Sequence, residues 1–169
     1  MENFDIIAIG DTTTDAFIRL KDASVNCDIN REHCMLSLRF GDKVPYEFVE
    51  IVRAVGNSAN AAVAGARLGL KTALVGNIGD DDNGKECLAS LQSSGVSTNF
   101  ISTQAGKHTN YHYVLWYEDE RTILIKHESF AYTLPDVGSP RWMYLSSMGE
   151  EASPLYDIIP PYLDAHPET

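Results

Sequence analysis

Two carboxamides and a glycine stand where a turn feeds a helix: Val55-Gly56-Asn57-Ser58-Ala59-Asn60 precedes Ala61-Ala62-Val63-Ala64-Gly65-Ala66. The first turn of a helix leaves backbone N–H groups without partners, and asparagine adds a side chain that can both donate and accept. Such an end can hold hydroxyls or anions. The same stretch also has a plain packing explanation, because a helix faced with alanine and glycine can lie very close to a sheet. Taken by themselves, these residues are more simply a tightly packed core helix.

Other constellations carry less chemistry. Cys27, His33 and Cys34 offer soft metal ligands in the loop CDINREHC, but three ligands do not complete a tetrahedral zinc site, so no metal is assigned. Asp80-Asp81-Asp82 could attract Mg²⁺, yet negative charge at the start of a helix accounts for the run more simply. His108, His112 and His127 are scattered over a β-rich stretch and read as solvated or stacked rings. Tyr111, Tyr113 and Tyr117 alternate along that stretch, as one packed face or as a dimer surface.

The elements that position these residues alternate in type. Phe4-Asp5-Ile6-Ile7-Ala8-Ile9, closed by Gly10, has the pattern of a strand buried on both faces. A helix over 57–68 follows, with Asn57 or Ser58 as N-cap and Gly69 just past its end. Thr72–Gly76 reads as a second buried strand. A helix then opens at the acidic run and closes at Gly95, with Cys87, Leu88 and Leu91 on one face. Arg141–Leu145 gives a further strand, and Leu155–Ala165 a helix that follows Pro154 and contains Pro160 and Pro161. Strand and helix in this order predict an α/β fold, a parallel sheet with helices on both faces. Two ribbons interrupt it, at about 33–54 and 110–127. In the first, Leu36, Leu38 and Phe40 alternate before the turn Gly41-Asp42-Lys43; in the second, Glu118-Asp119-Glu120 turns the chain back toward Ile123 and Ile125. Antiparallel ribbons do not easily join a parallel sheet and are expected to pack together as a small flap.

Composition narrows the partners. The chain has 169 residues, 44% hydrophobic and 22% charged, with a formal net charge of -11. That field repels phosphate backbones and anionic lipid, so neither nucleic acid nor a membrane surface is expected as a partner. The N-terminus has no basic region ahead of its apolar run, unlike a signal peptide. No stretch is long and apolar enough for a bilayer span. Three cysteines without framework spacing suit a reducing cytoplasm.

The run Gly56–Gly69, followed by Gly76-Asn77-Ile78-Gly79-Asp80-Asp81-Asp82-Asn83-Gly84, resembles the N-terminal signature of the ribokinase family of carbohydrate kinases, also called the PfkB family. Gly10-Asp11-Thr12-Thr13-Thr14-Asp15, Gly95-Val96-Ser97-Thr98 and Glu120-Arg121-Thr122-Ile123-Leu124 resemble further pieces of it, in order. The resemblance implies a ribokinase-like fold with a β-ribbon lid, and transfer of the ATP γ-phosphoryl group to a hydroxyl of a sugar, nucleoside or related small alcohol. ATP and Mg²⁺ are the implied cofactors, and a homodimer through the lid ribbons is possible.

By the same resemblance Asp15 matches the carboxylate that accepts from sugar hydroxyls, and Gly56 the backbone position that lets the sugar come close. Asn57 and Asn60 match the turn that touches the sugar, and Asn110 is a weaker candidate for a contact from the second ribbon. Val55 stands where the family has the first of two glycines and Thr13 where ribokinases often carry a sugar-binding Asn, which argues against ribose itself. The family's Gly-Ala-Gly-Asp motif, whose Asp removes the hydroxyl proton, is absent. The chain therefore reads as the N-terminal, substrate-binding portion of a kinase whose C-terminal half is missing, with no catalytic residue of its own. The alternative is a non-catalytic sugar-binding or dimerisation module.

Overall fold

A computed structural model describes residues 3–30 and 32–169. In chain order the elements are β1 (Ile6–Ile9), β2 (Thr13–Leu20), β3 (Ser24–Asn26), β4 (Met35–Ser37), β5 (Tyr46–Val55), α1 (Asn57–Arg67), β6 (Thr72–Gly79) and α2 (Asp82–Ser93). They continue with β7 (Val96–Ser97), β8 (Ile101–Gln104), β9 (Tyr111–Tyr117), β10 (Glu120–Leu124), β11 (Trp142–Leu145) and α3 (Ser153–Ala165). The chain divides into two units: one takes the residues up to Thr14, Arg53–Tyr111 and Lys126–Thr169, the other Asp15–Val52 and His112–Ile125.

The first unit is built on a parallel sheet in the order β11-β1-β6-β7, with β8 also paired to β6. Alternation along β1 divides its core. Ile7 and Ile9 pack with Val75, Val137 and the α3 residues Leu155 and Ile159, whereas Ala8 packs with Leu74, with Ala59 and Ala62 of α1, and with Cys87 and Leu91 of α2. Helices thus cover both faces of the sheet, as expected of the ribokinase-like α/β class. The small residues of α1 have a direct reason. A Cβ on Gly65 would lie 2.8 Å from Thr72 Cγ2 and 3.3 Å from Ile6 Cδ1, so any larger side chain would force helix and sheet apart. The bland account of the Ala-rich stretch is therefore right for its body.

In the second unit, β10-β9-β2-β5 form a four-stranded sheet and β3 pairs antiparallel with β4. The expected hairpin around Gly41-Asp42-Lys43 does not form: β4 ends at Ser37, and β5 pairs with β2 instead. Strand β2 itself was not anticipated, and its eight residues give β5 a longer partner than the three residues of β4. In the second ribbon Tyr117 pairs with Glu120, so the turn is the two residues Glu118 and Asp119, with Glu118 at φ 51°. Nor do the tyrosines form the buried face of β9. Val114 is fully buried whereas Tyr113 is half exposed, so the even-numbered positions point inward. On the sheet, the Arg19 guanidinium stacks 4.5 Å from the Trp116 ring, Arg19 donates to the Glu118 carbonyl, and Phe48 meets Trp116 edge-on.

Cys27 and Cys34 form a disulfide, leaving Cys87 as a buried thiol whose pKa burial pushes up. This corrects the reading of all three as reduced thiols, and removes Cys27 and Cys34 from any thiolate ligand set. Among the described residues, no helix is long and apolar enough to cross a membrane.

Candidate functional site

Helix α1 starts at Asn57, as expected, but neither Asn57 nor Ser58 is its N-cap. Gly56 is the N-cap, at φ 107°, and no side chain caps the helix. A glycine is required there: its missing Cβ would stand 2.9 Å from the Asp11 carbonyl, and the left-handed φ disfavours any side chain. Two further contacts clamp this turn to the end of β1. The Ser58 hydroxyl donates to the Asp11 carbonyl at 2.9 Å, and the Thr12 hydroxyl to the Val55 carbonyl at 3.3 Å. Ser58 and Ala59 are buried, whereas Asn57 and Asn60 are exposed. The turn therefore offers two carboxamides beside uncapped N–H groups, at the carboxyl end of a parallel strand, where ligands bind in open α/β sheets.

Asn110 belongs to the same unit and is almost fully buried. Its carbonyl accepts from Thr14 N–H at 3.0 Å and from the Thr13 hydroxyl at 3.0 Å, and its Oδ1 accepts from Glu128 N–H at 2.7 Å. Its Nδ2 is buried and makes no hydrogen bond among the described residues, a donor waiting for an acceptor. The Thr13 hydroxyl, engaged by Asn110, serves the backbone.

The residue before Asn110 is fixed by Asp81, the N-cap of α2. Asp81 Oδ1 accepts from Gly84 N–H at 2.9 Å and from the Thr109 hydroxyl at 2.7 Å, and Oδ2 accepts from Thr109 N–H at 3.0 Å. Burial alone would raise the Asp81 carboxyl, but these bonds outweigh it and hold it below the ordinary aspartate value. His108 Nδ1 adds a contact at 3.5 Å.

Sequence reasoning missed a second carboxylate. Asp11 Oδ1 accepts from the Tyr132 hydroxyl at 2.8 Å and Oδ2 from Gly149 N–H at 2.9 Å, while His127 Nδ1 lies 3.3 Å from Oδ2. Burial, and then the Asp11 carboxylate, push the Tyr132 phenol far above the usual tyrosine value, so it stays a donor. His127 is thus no merely solvated ring. The only sequence signal was an aspartate directly after the strand-ending Gly10.

Asp15 lies in the second unit, on β2, with a side chain mostly buried and His112 Nδ1 3.3 Å from its Oδ1. That unit also gathers Asp28, Glu32 and His33 into an exposed group whose ligand atoms lie within 4.8 Å of one another. The structure therefore groups Gly56, Asn57 and Asn60 on one turn, ties Asn110 to the start of β2, and sets His112 beside Asp15.

Residues 37–153 match the pfkB family of carbohydrate kinases, well over half of the 169 residues. The chain belongs to that family. Other members give its measure. A Bacillus subtilis ribokinase is 33% identical over 70 residues, which cover 41% of this chain and 24% of that protein. A Methanothermobacter thermautotrophicus nucleoside kinase is 33% identical over 85 residues, or 50% of this chain and 28% of that protein. A ribokinase of Cryptococcus neoformans var. grubii, crystallised with ADP, superposes with a TM-score of 0.66 at 23% identity, over 95% of this chain and 44% of its own. That likeness is one of fold. The pfkB chain described here spans less than half the length of each of these relatives.

Proposed function

We propose that this chain supplies the substrate-recognition part of an ATP-dependent kinase acting on a hydroxyl of a sugar, nucleoside or related small alcohol. The observation that carries the reading is the start of α1: an uncapped N-terminus, a glycine held against the Asp11 carbonyl, and two exposed asparagines. Asp15 accepts from substrate hydroxyls, Gly56 and Asn57 meet the substrate through backbone, and Asn60 and Asn110 through carboxamides. Thr13 argues against ribose, since its hydroxyl is held by the Asn110 carbonyl.

ATP and Mg²⁺ are implied by the family, but the acidic run does not fit the ion. Both Asp81 oxygens are occupied by Gly84 and Thr109, and Asp82 pairs with Lys85 at 2.8 Å. With Gly-Ala-Gly-Asp absent from the sequence, no catalytic step is assigned to this chain, and we expect it to transfer no phosphoryl group by itself. A cytoplasmic location belongs to the same proposal and no longer draws on the cysteines.

A second reading, a binding module that dimerises through the ribbon sheet, is favoured by the exposed Tyr46, Phe48, Ile51, Tyr113 and Ile123 in that unit. Sedimentation equilibrium tests it, and a monomer at high concentration rules it out. Calorimetry with a panel of sugars and nucleosides tests the main proposal. Binding that falls at least roughly tenfold in Asp15→Asn and Asn60→Ala supports it, and no binding by any compound overturns it. ATP binding, expected only of the complete kinase, then separates a kinase from a sugar-binding module.

A further inference from the structure

Asp15 is not alone on its strand pair. Its Oδ1 is buried and has no hydrogen-bond partner among the described residues. His112, on the neighbouring strand β9 of the same unit, brings Nδ1 to 3.3 Å of that oxygen, and the two side chains are only 17% and 13% exposed. A carboxylate withdrawn from water is unfavourable unless a donor or a positive group faces it. The cation on β2 itself, Arg19, does not serve, because its guanidinium stacks on Trp116 and donates to the Glu118 carbonyl. On this stretch of sheet the imidazole is the group that meets Asp15.

We infer that His112 is a positioning residue for Asp15: it holds the carboxylate through Oδ1 and turns Oδ2 toward the hydroxyls of a polyol substrate. The inference rests on the reading of Asp15 as a substrate group. A neutral imidazole can do this only with its hydrogen on Nδ1. A side chain that merely filled the same volume could not. An apolar residue at 112 would leave the carboxylate facing carbon, free to rotate away from its substrate.

The test uses the 169-residue protein and the polyol that binds it best in the calorimetric panel. His112→Leu keeps bulk and loses the donor; His112→Asn puts a carboxamide N–H near the place of Nδ1–H. Binding should weaken roughly tenfold or more in His112→Leu and stay within about threefold in His112→Asn, as for one hydrogen bond to a charged group. Nitrogen NMR of the His112 ring should show hydrogen on Nδ1, and Asp15→Ala should shift it. Unchanged binding in His112→Leu, or a ring indifferent to Asp15→Ala, overturns the inference while leaving the kinase reading intact. A panel in which nothing binds overturns both. Should His112→Leu fail to fold, His112→Asn and the ring shift decide.

Discussion

Asp81 and Thr109, 28 residues apart, are joined twice: the Thr109 hydroxyl and its N–H each donate to a different oxygen of one carboxylate, at 2.7 and 3.0 Å. The same carboxylate caps α2 through Gly84. Asp81→Ala should therefore cost about 1–3 kcal/mol, a lost cap together with buried donors left unpaired. Urea titration checks it. The acid limb gives the sign: a carboxyl held below its unfolded value stabilises above the unfolded pKa, and that stability is lost as pH falls through the folded one. Asp81→Asn should flatten the loss of stability below about pH 4.

Gly56 and Gly69 both have left-handed backbone, at φ 107° and 88°, but only Gly56 faces an obstacle. Alanine at 69 meets open space and should cost about 1 kcal/mol in backbone strain. Alanine at 56 adds a clash with the Asp11 carbonyl and should cost clearly more, about 2–4 kcal/mol, with loss of polyol binding. Equal melting temperatures for the two variants would contradict the close approach.

Tyr132→Phe removes the phenol from Asp11 and changes little else. The loss should be about 1–3 kcal/mol, as for a hydrogen bond to a charged group, and Asp11→Ala should cost more because it also strands Gly149 N–H. Thermal melts of the two variants settle the order, and a Tyr132→Phe protein as stable as the parent would refute it.

Alkylation followed by intact mass reads the cysteines directly. Unfolded without reductant, the protein should take one tag, at Cys87; after treatment with a thiol it should take three. Three tags without reductant would show Cys27 and Cys34 as thiols.

The parallel-sheet unit was legible because β1, β6 and β11 are short apolar runs separated by helices with clear ends, and such signals are local. Strand β2 was not, since Asp15 and Arg19 interrupt its apolar residues and face groups far along the chain, His112 and Trp116 on β9 and Glu118 in the turn after it. The first ribbon misled for a related reason: a turn-like Gly41-Asp42-Lys43 suggested local pairing, while β5 found its partner far back in the chain. Of the site, the α1 turn was visible in its glycine and asparagines. The Asp11 hub was not, because it joins residues separated by 121 and 138 positions, and no spacing rule reaches so far.

The stacking of Arg19 on Trp116 has an optical consequence. The chain has two tryptophans, and they fall in different units: Trp116 is stacked beneath a guanidinium, and Trp142 stands on the edge strand β11 with 67% of its surface exposed. A ring open to water emits at longer wavelength and is quenched readily by iodide, whereas a covered one is shielded. Fluorescence of this protein thus carries two distinguishable signals, one reporting on each unit without any added label.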